Sequence, residues 1–127
     1  MGPTYQYKAK LVRVVDGDTV WLDVDVGFRT SVSIDFRLYG INAPESVGPS
    51  KAAGLEAKEF LGRMLQGKEI VVESRKTEKY GRWLGTIWFQ SIASKGSVPA
   101  GTWISANQEM LDNNHAVVSA NDTSRLM

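Results

Sequence analysis

The chain has 127 residues, of which 43% are hydrophobic and 23% charged, a composition that excludes a disordered or fibrous protein. The formal net charge is +1, so any attraction for phosphate groups must be local and not a property of the whole surface. Cysteine is absent, which excludes disulfides, thiolate-bound zinc, iron–sulfur clusters and a cysteine nucleophile. We expect one domain over residues 1–127, with its core at about 5–118.

The sequence contains no apolar run approaching the roughly 20 residues that a membrane helix needs. Its first residues also lack an apolar segment of signal-peptide length. We therefore expect a soluble monomer without membrane association or an obligate protein partner, either cytoplasmic or secreted after removal of a leader.

The first third of the chain predicts a three-stranded meander. Apolar and polar residues interleave in residues 5–15, 20–26 and 30–38, with the period of two expected of half-buried strands. Asp16-Gly17 and Gly27-Phe28-Arg29 separate these runs and predict turns. The residues expected on the buried faces are Val20, Leu22, Val24, Val26, Val32, Ile34 and Phe36.

The remainder predicts helix, two strands and a second helix. Ser50 is placed to cap a helix that Gly67 would end, with strands following at 69–73 and 83–89. The first helix is indicated by apolar residues at helical spacing: Ala53, Ala57, Phe60, Leu61, Met64 and Leu65. Residues 91–101 have the composition of a surface loop and 104–113 that of a short helix. The predicted fold class is α+β, mainly β.

Three short segments contain the residues of greatest chemical interest. Asp16-Gly17-Asp18-Thr19 is a turn by composition, but it also carries a second carboxylate, Asp18, of the kind that hard divalent cations prefer. In the segment 36–45, Arg37 and Glu45 taken alone predict only a surface ion pair of about 0–1 kcal/mol. Lys79-Tyr80-Gly81-Arg82 alone predicts a solvated basic turn.

In this order and approximate spacing, the three segments resemble the active site of the staphylococcal nuclease (thermonuclease) family. The resemblance extends from about Lys10 to Val118, and its most specific part is Phe36-Arg37-Leu38-Tyr39-Gly40-Ile41-Asn42-Ala43-Pro44-Glu45. It implies a five-stranded barrel of the oligonucleotide/oligosaccharide-binding type with two to three helices packed on it. It also implies a calcium-dependent endonuclease that cleaves DNA and RNA with little sequence preference, by metal-assisted attack of water, leaving 3′-phosphate ends.

The resemblance also implies roles for individual residues. Oxygens of Asp18, Asn42 and the Ala43 carbonyl would bind calcium, although other divalent ions remain open. Glu45 would position the attacking water, and Arg37 and Arg82 would hold the phosphate as the other catalytic residues. Asp16 and Thr19 would support the metal site, and Lys79 and Tyr80 would contact a neighbouring phosphate. Planar guanidinium groups suit these phosphate contacts because they donate bidentate, charge-assisted hydrogen bonds.

One position departs from the family pattern, because Asn42 stands where the family's well-known nuclease carries aspartate. An amide oxygen still binds calcium but brings no negative charge, which predicts weaker binding. The alternative function is therefore a nuclease-like barrel that binds nucleic acid without cleaving it. The lone His115 is expected to be structural, and most of the tryptophan and tyrosine residues are expected to pack in the core or at its rim.

Overall fold

The computed structural model describes residues 5–77, 83–91 and 99–119. Its elements are β1 (Tyr5–Asp16), β2 (Thr19–Gly27), β3 (Thr30–Leu38), β4 (Ile41–Asn42), a 3₁₀ turn (Gly48–Ser50), α1 (Lys51–Leu65), β5 (Ile70–Thr77), β6 (Trp83–Gln90), β7 (Trp103–Ser105), α2 (Ala106–Asp112) and β8 (Val117–Val118). No described helix has both the length and the apolar character required to cross a membrane.

The main sheet closes into a barrel. Its strands lie in the order β3-β2-β1-β5-β6-β7, and β3 pairs again with β6. This closing pair is parallel and joins residues 36–38 to residues 83–85, whereas the other pairs are antiparallel. The barrel therefore has five strands, β1, β2, β3, β5 and β6, with β7 appended to β6. The predicted five-stranded barrel is confirmed.

The barrel interior follows the predicted alternation only over the inner part of the β2–β3 hairpin. Val20, Leu22 and Val24 are buried, whereas Val26 and Val32 are 38% and 39% exposed. Their predicted burial is wrong. Val32 lies on a part of β3 that pairs with β2 alone among the described strands, and the pairing of β1 with β2 stops at Ala9 opposite Val24, before Val26. Beyond that point, β2 pairs with β3 alone among the described strands.

Helix α1 packs against the barrel through Ala57, Leu61 and Leu65, which are fully buried. Ala53, predicted on the same face, is exposed. Ser50 occupies the N-cap position as predicted, but its hydroxyl donates to the Glu45 carbonyl oxygen at 3.2 Å and does not cap the helix.

The second helix is shorter than predicted, because Ile104 lies in β7 and the helix begins at Ala106. The Ser105 hydroxyl caps it by accepting a hydrogen bond from the Gln108 N–H at 3.1 Å. Its end is followed by Asn114 in the left-handed conformation, at φ +61°, as its sequence predicted.

Candidate active site

The candidate site lies where the turn between β1 and β2 meets the segment that follows β3. Asp18, in this turn, accepts a hydrogen bond from the Ala43 N–H at Oδ2 (2.8 Å) and from the Thr19 hydroxyl at Oδ1 (3.0 Å). Its carbonyl oxygen accepts from the Leu38 N–H at 2.7 Å. Asp18, Thr19 and Ala43, predicted to act together, are therefore brought into direct contact, and the Asp18 carboxylate is fixed in one orientation.

Asp16 fixes the other end of the same segment. Its Oδ1 accepts hydrogen bonds from both the N–H (3.2 Å) and the hydroxyl (2.5 Å) of Ser46. The two carboxylates of the turn thus bind the backbone on either side of Pro44-Glu45. The role of Ser46 was not predicted from the sequence, because a lone serine in a loop carries no recognisable signal.

Arg37 is half-buried on β3 and holds the chain immediately after that strand. Its Nη2 donates to the Ile41 carbonyl oxygen at 2.8 Å and to the Asn42 side-chain oxygen. The guanidinium and the amide predicted for phosphate and metal binding are therefore hydrogen-bonded to each other. Because this contact places a positive group on the Asn42 oxygen, it competes with any cation for that oxygen.

The Glu45 side chain is exposed, and within the described residues its carboxylate makes no hydrogen bond or ion pair. Its backbone is nevertheless tightly held by α1. A Cβ on the buried Gly54 would overlap the Glu45 carbonyl group and come within 2.6 Å of the Ser46 nitrogen. Gly54 therefore allows the helix to lie directly against this segment. The sequence signal for this contact is a glycine within a helical pattern, because such a glycine usually allows another segment to pack closely.

Gly17 makes a similar close approach beneath the turn. A Cβ there would lie 2.6 Å from the Cβ of Ala57 and 2.9 Å from the Cβ of Ala43. The turn, the post-β3 segment and α1 thus meet at positions without side-chain bulk. A side chain at Gly17 would therefore push the turn away from α1 and from the segment that contains Ala43.

A cleft of about 500 Å³ adjoins the site, with Asn42 and Ala43 on its wall. His115 and Glu56 also line this cleft. The His115 ring packs on Phe60, with ring centroids 4.5 Å apart. This contact supports the prediction of a structural histidine.

The remaining predicted site residues, Lys79, Tyr80 and Arg82, lie outside the described residues. Among the residues that are described, no group of three or more His, Cys, Asp or Glu side chains is arranged to hold a metal ion. The donor chemistry nevertheless fits a hard cation at Asp18, whose two oxygens accept hydrogen bonds from neutral groups, the Ala43 N–H and the Thr19 hydroxyl. The side-chain oxygen of Asn42 is less suited to bind a cation, since it accepts a hydrogen bond from Arg37.

The fold and the site define a class of protein. A closed five-stranded barrel of the oligonucleotide/oligosaccharide-binding type carries carboxylates and a guanidinium at the end of β3, held by a helix packed across that end. Residues 35–125 match the family model described as "Staphylococcal nuclease homologue". The chain belongs to this family, which confirms the resemblance inferred from its motifs.

Individual relatives support the same assignment. The chain is 33% identical over 95 residues to Protein ParB of Escherichia coli (74% of this chain, 49% of that protein). It is 36% identical over 84 residues to the thermonuclease of Staphylococcus hyicus (62% and 47%) and 35% identical over 82 residues to the micrococcal nuclease of Shigella flexneri (65% and 42%). The matches thus cover about half the length of these relatives.

Proposed function

We propose that this domain is a calcium-dependent nuclease that hydrolyses phosphodiester bonds in DNA and RNA with little sequence preference and leaves 3′-phosphate ends. The observation that carries the proposal is the hydrogen-bonded arrangement of Asp18, Ala43, Arg37 and Asn42. It joins the first two of the three predicted segments at one end of the barrel. Membership of a family whose relatives include a thermonuclease and a micrococcal nuclease supports the same activity.

Arg37 and Arg82 are proposed to bind the phosphate that is cleaved. The charge on this group increases in the transition state, and guanidinium groups stabilise it through paired hydrogen bonds. Arg82 directly precedes Trp83, which pairs with Phe36, the neighbour of Arg37 in β3. The strand pairing therefore supports a site to which both arginines contribute, with Lys79 and Tyr80 contacting a neighbouring phosphate.

Glu45 is proposed to orient and deprotonate the attacking water. Water is a weak nucleophile at neutral pH, and an exposed carboxylate with no partner among the described residues is able to accept its proton. The hydrogen bonds to Ser46 and the packing on Gly54 hold the backbone of this segment. Positioning of this kind accounts for a large part of catalysis in reactions with two reactants.

Asp18, Asn42 and the Ala43 carbonyl are the residues proposed to hold calcium, with Asp16 and Thr19 supporting them. A bound divalent cation would supply positive charge against the phosphate. Since Asn42 brings no charge, we expect Asn42→Asp to tighten calcium binding about tenfold, as measured by calorimetry. Unchanged or weaker binding in this variant would remove Asn42 from the ligand set.

The first experiment measures cleavage of single-stranded DNA and of RNA, with calcium or with a chelator. We compare the unmodified protein with Asp18→Asn, Arg37→Lys and Glu45→Gln, and use Glu59→Gln on the exposed face of α1 as the matched control. Activity should require calcium and fall by about 10²-fold or more in the three site variants, while the control retains it.

The same experiment separates the nuclease from the alternative reading. Asp18→Asn keeps an oxygen to accept the Ala43 N–H, so the turn should keep its structure while the charge is lost. If the unmodified protein binds DNA but does not cleave it with calcium, magnesium or manganese, the domain is a nucleic-acid-binding module. In that case, the contact between Arg37 and Asn42 is the first that a further substitution should remove.

A further inference from the structure

The described residues that line the cleft beside the candidate site come from three parts of the fold. The first wall is the segment after β3, at Asn42, Ala43 and Pro44. The second wall is the first part of α1, and the third is the segment 113–117, which leads from α2 into β8. The cleft therefore begins at the residues proposed to bind calcium and continues between α1 and the segment that follows α2.

Contacts between these walls fix the shape of the cleft. Val117 pairs with Asn42 where β8 joins β4, so the third wall is held to the first. The His115 ring packs on Phe60 of α1, which holds the third wall to the second. The buried Gly54 allows α1 to lie directly against the segment after β3. A cleft whose walls are joined in this way is already formed before a ligand binds, as most ligand sites are.

The volume and the apolar part of the lining suit a small ring system. The volume is about 500 Å³, within the range of roughly 300–1,000 Å³ that is usual for small-molecule sites. The apolar side chains of the lining are Pro44, Ala53, Ala116 and Val117. Such side chains can contact the faces of a ring and remove them from water.

The charge of the lining favours a nucleobase over a phosphate. Among the described residues that line the cleft, Glu56 is acidic and none is a lysine or an arginine. A carboxylate repels phosphate but accepts hydrogen bonds from a base. Arg37, whose guanidinium donates to the neighbouring Asn42, carries the positive charge that a phosphate needs. We therefore expect the phosphate to lie at Arg37 and the base to enter the cleft.

Glu56 is able to distinguish one base from another. Its side chain is exposed on α1, and an ionised carboxylate only accepts hydrogen bonds. Cytosine and adenine donate from an exocyclic amino group, whereas thymine and uracil have a carbonyl oxygen at the corresponding position. A carboxylate beside this edge of the base therefore attracts the amino group and repels the carbonyl oxygen.

Asn114 supplies a second polar group on the opposite wall. Its backbone is in the left-handed conformation, at φ +61°, and its exposed side chain is part of the lining. An amide can donate a hydrogen bond to a ring carbonyl oxygen, such as the O2 atom that cytosine and uracil share. The expected contribution of Asn114 is therefore the same for both of these bases.

We propose that this cleft binds the base of a nucleotide next to the cleaved phosphate, and that it prefers a base with an exocyclic amino group to thymine or uracil. Glu56 accepts a hydrogen bond from the amino group, and Asn114 donates to a ring carbonyl oxygen. The inference rests on the proposed function, because it takes the position of the phosphate from Arg37 and Asn42. A preference of about fivefold at one base, the lower end of what a specific base contact supplies, is compatible with little sequence preference along the substrate.

The first test measures binding without cleavage. The full chain, kept free of calcium by a chelator, is titrated with the deoxycytidine dinucleotide or the deoxyuridine dinucleotide and followed by NMR. The two probes differ at the edge of the base, where cytosine has an amino group and uracil a carbonyl oxygen. We expect the amide signals of Glu56, Asn113 and Asn114 to shift with both probes, and the cytosine probe to bind about fivefold more tightly.

Three variants identify the groups that recognise the base. Glu56→Gln replaces the carboxylate by an amide that both donates and accepts, so the two probes should bind equally, within about twofold. Glu59→Gln makes the same charge change on α1 outside the cleft and should keep the ratio of about fivefold. Asn114→Gly removes the amide, and glycine accepts its positive φ, so both probes should bind about threefold more weakly with an unchanged ratio. Because the ratio is measured, a general effect of charge on both probes cancels.

Two outcomes of the titration would overturn the inference. The first is equal binding of the two probes, or shifts confined to residues outside the cleft, in the unmodified protein. The second is a ratio that Glu56→Gln leaves unchanged, because the preference would then belong to other residues.

The second test adds calcium and sequences the ends produced from single-stranded DNA of random sequence. Cytosine and adenine should be enriched about fivefold over thymine at one position beside the cleaved bond, and Glu56→Gln should remove this enrichment. Cleavage without the enrichment, and without shifts at the cleft, would overturn the inference and leave the nuclease intact. Shifts at the cleft in the expected ratio, but no cleavage, would support base binding in the cleft and overturn the nuclease.

Discussion

The side chain of Asn107 joins three parts of the fold, and its removal gives the sharpest test of how the site is held. Asn107 is 7% exposed on α2. Its Oδ1 accepts from the Ile87 N–H at 3.0 Å, and its Nδ2 donates to the carbonyl oxygens of Tyr39 (2.9 Å) and Gly85 (3.2 Å). One amide thus connects α2, β6 and the segment that leads from β3 into the candidate site.

The structure sets the expected magnitude for Asn107→Ala. The Gly85 oxygen also accepts from the Tyr39 N–H at 2.9 Å, so it keeps one partner. The Ile87 N–H and the Tyr39 oxygen lose the partner supplied by Asn107, and each buried group left unsatisfied costs about 1–3 kcal/mol. We therefore expect the free energy of unfolding to fall by about 2–6 kcal/mol, a large share of a typical total of about 5–15 kcal/mol.

The assay is urea unfolding followed by tryptophan fluorescence, with Gln108→Ala as the control. Gln108 is the next residue of the same helix but is exposed, and its side chain donates to the neighbouring Asp112 of that helix, so its loss should cost about 0.5 kcal/mol or less. A loss below about 1 kcal/mol in Asn107→Ala would falsify the reasoning, because it would mean that water or a rearrangement satisfies both groups.

Two further predictions concern glycine and the hairpin tip. Gly54→Ala should lower cleavage activity about tenfold or more, because its Cβ displaces the backbone of Glu45. Gly62→Ala on the same helix, where a Cβ meets only a methyl group at 3.8 Å, should instead stabilise the protein by about 0.5–1 kcal/mol in thermal unfolding. Equal activity loss in both variants would contradict the assigned contact. Replacing Phe28-Arg29, both at positive φ, by Asn-Gly should raise the free energy of unfolding by about 1–2 kcal/mol in urea, and a decrease would contradict the strain assigned to these two residues.

Local sequence was sufficient for the five strands of the barrel, the turns between the first three of them and the first helix, but not for β4, β7 and β8. The alternation in β2, the turn residues at Asp16-Gly17 and the helical spacing of Ala57, Leu61 and Leu65 each depend on neighbours a few residues away. Local sequence could not show, however, at which residue the alternation stops corresponding to burial. Val26 continues the pattern of Val24, yet it is exposed because β1 no longer pairs with β2 at that point.

The chemistry of the candidate site was also indicated by the sequence, through the types of residue in the three segments and their order. The identity of Asp18, Arg37 and Glu45 determined which reaction to consider. The amino-acid sequence could not show, however, that the Asn42 oxygen accepts from Arg37, since that depends on the turn between the strand and the next segment.

Tertiary structure decided which residues hold the site together. Asp18 reaches Ala43 across 25 residues, Asp16 reaches Ser46 across 30, and Asn107 reaches Tyr39 across 68. The sequence by itself determined which groups are available and which elements carry them, because both are properties of short segments. Only closure of the barrel and the packing of α1 and α2 decided which groups meet, since this depends on contacts between segments far apart in the chain.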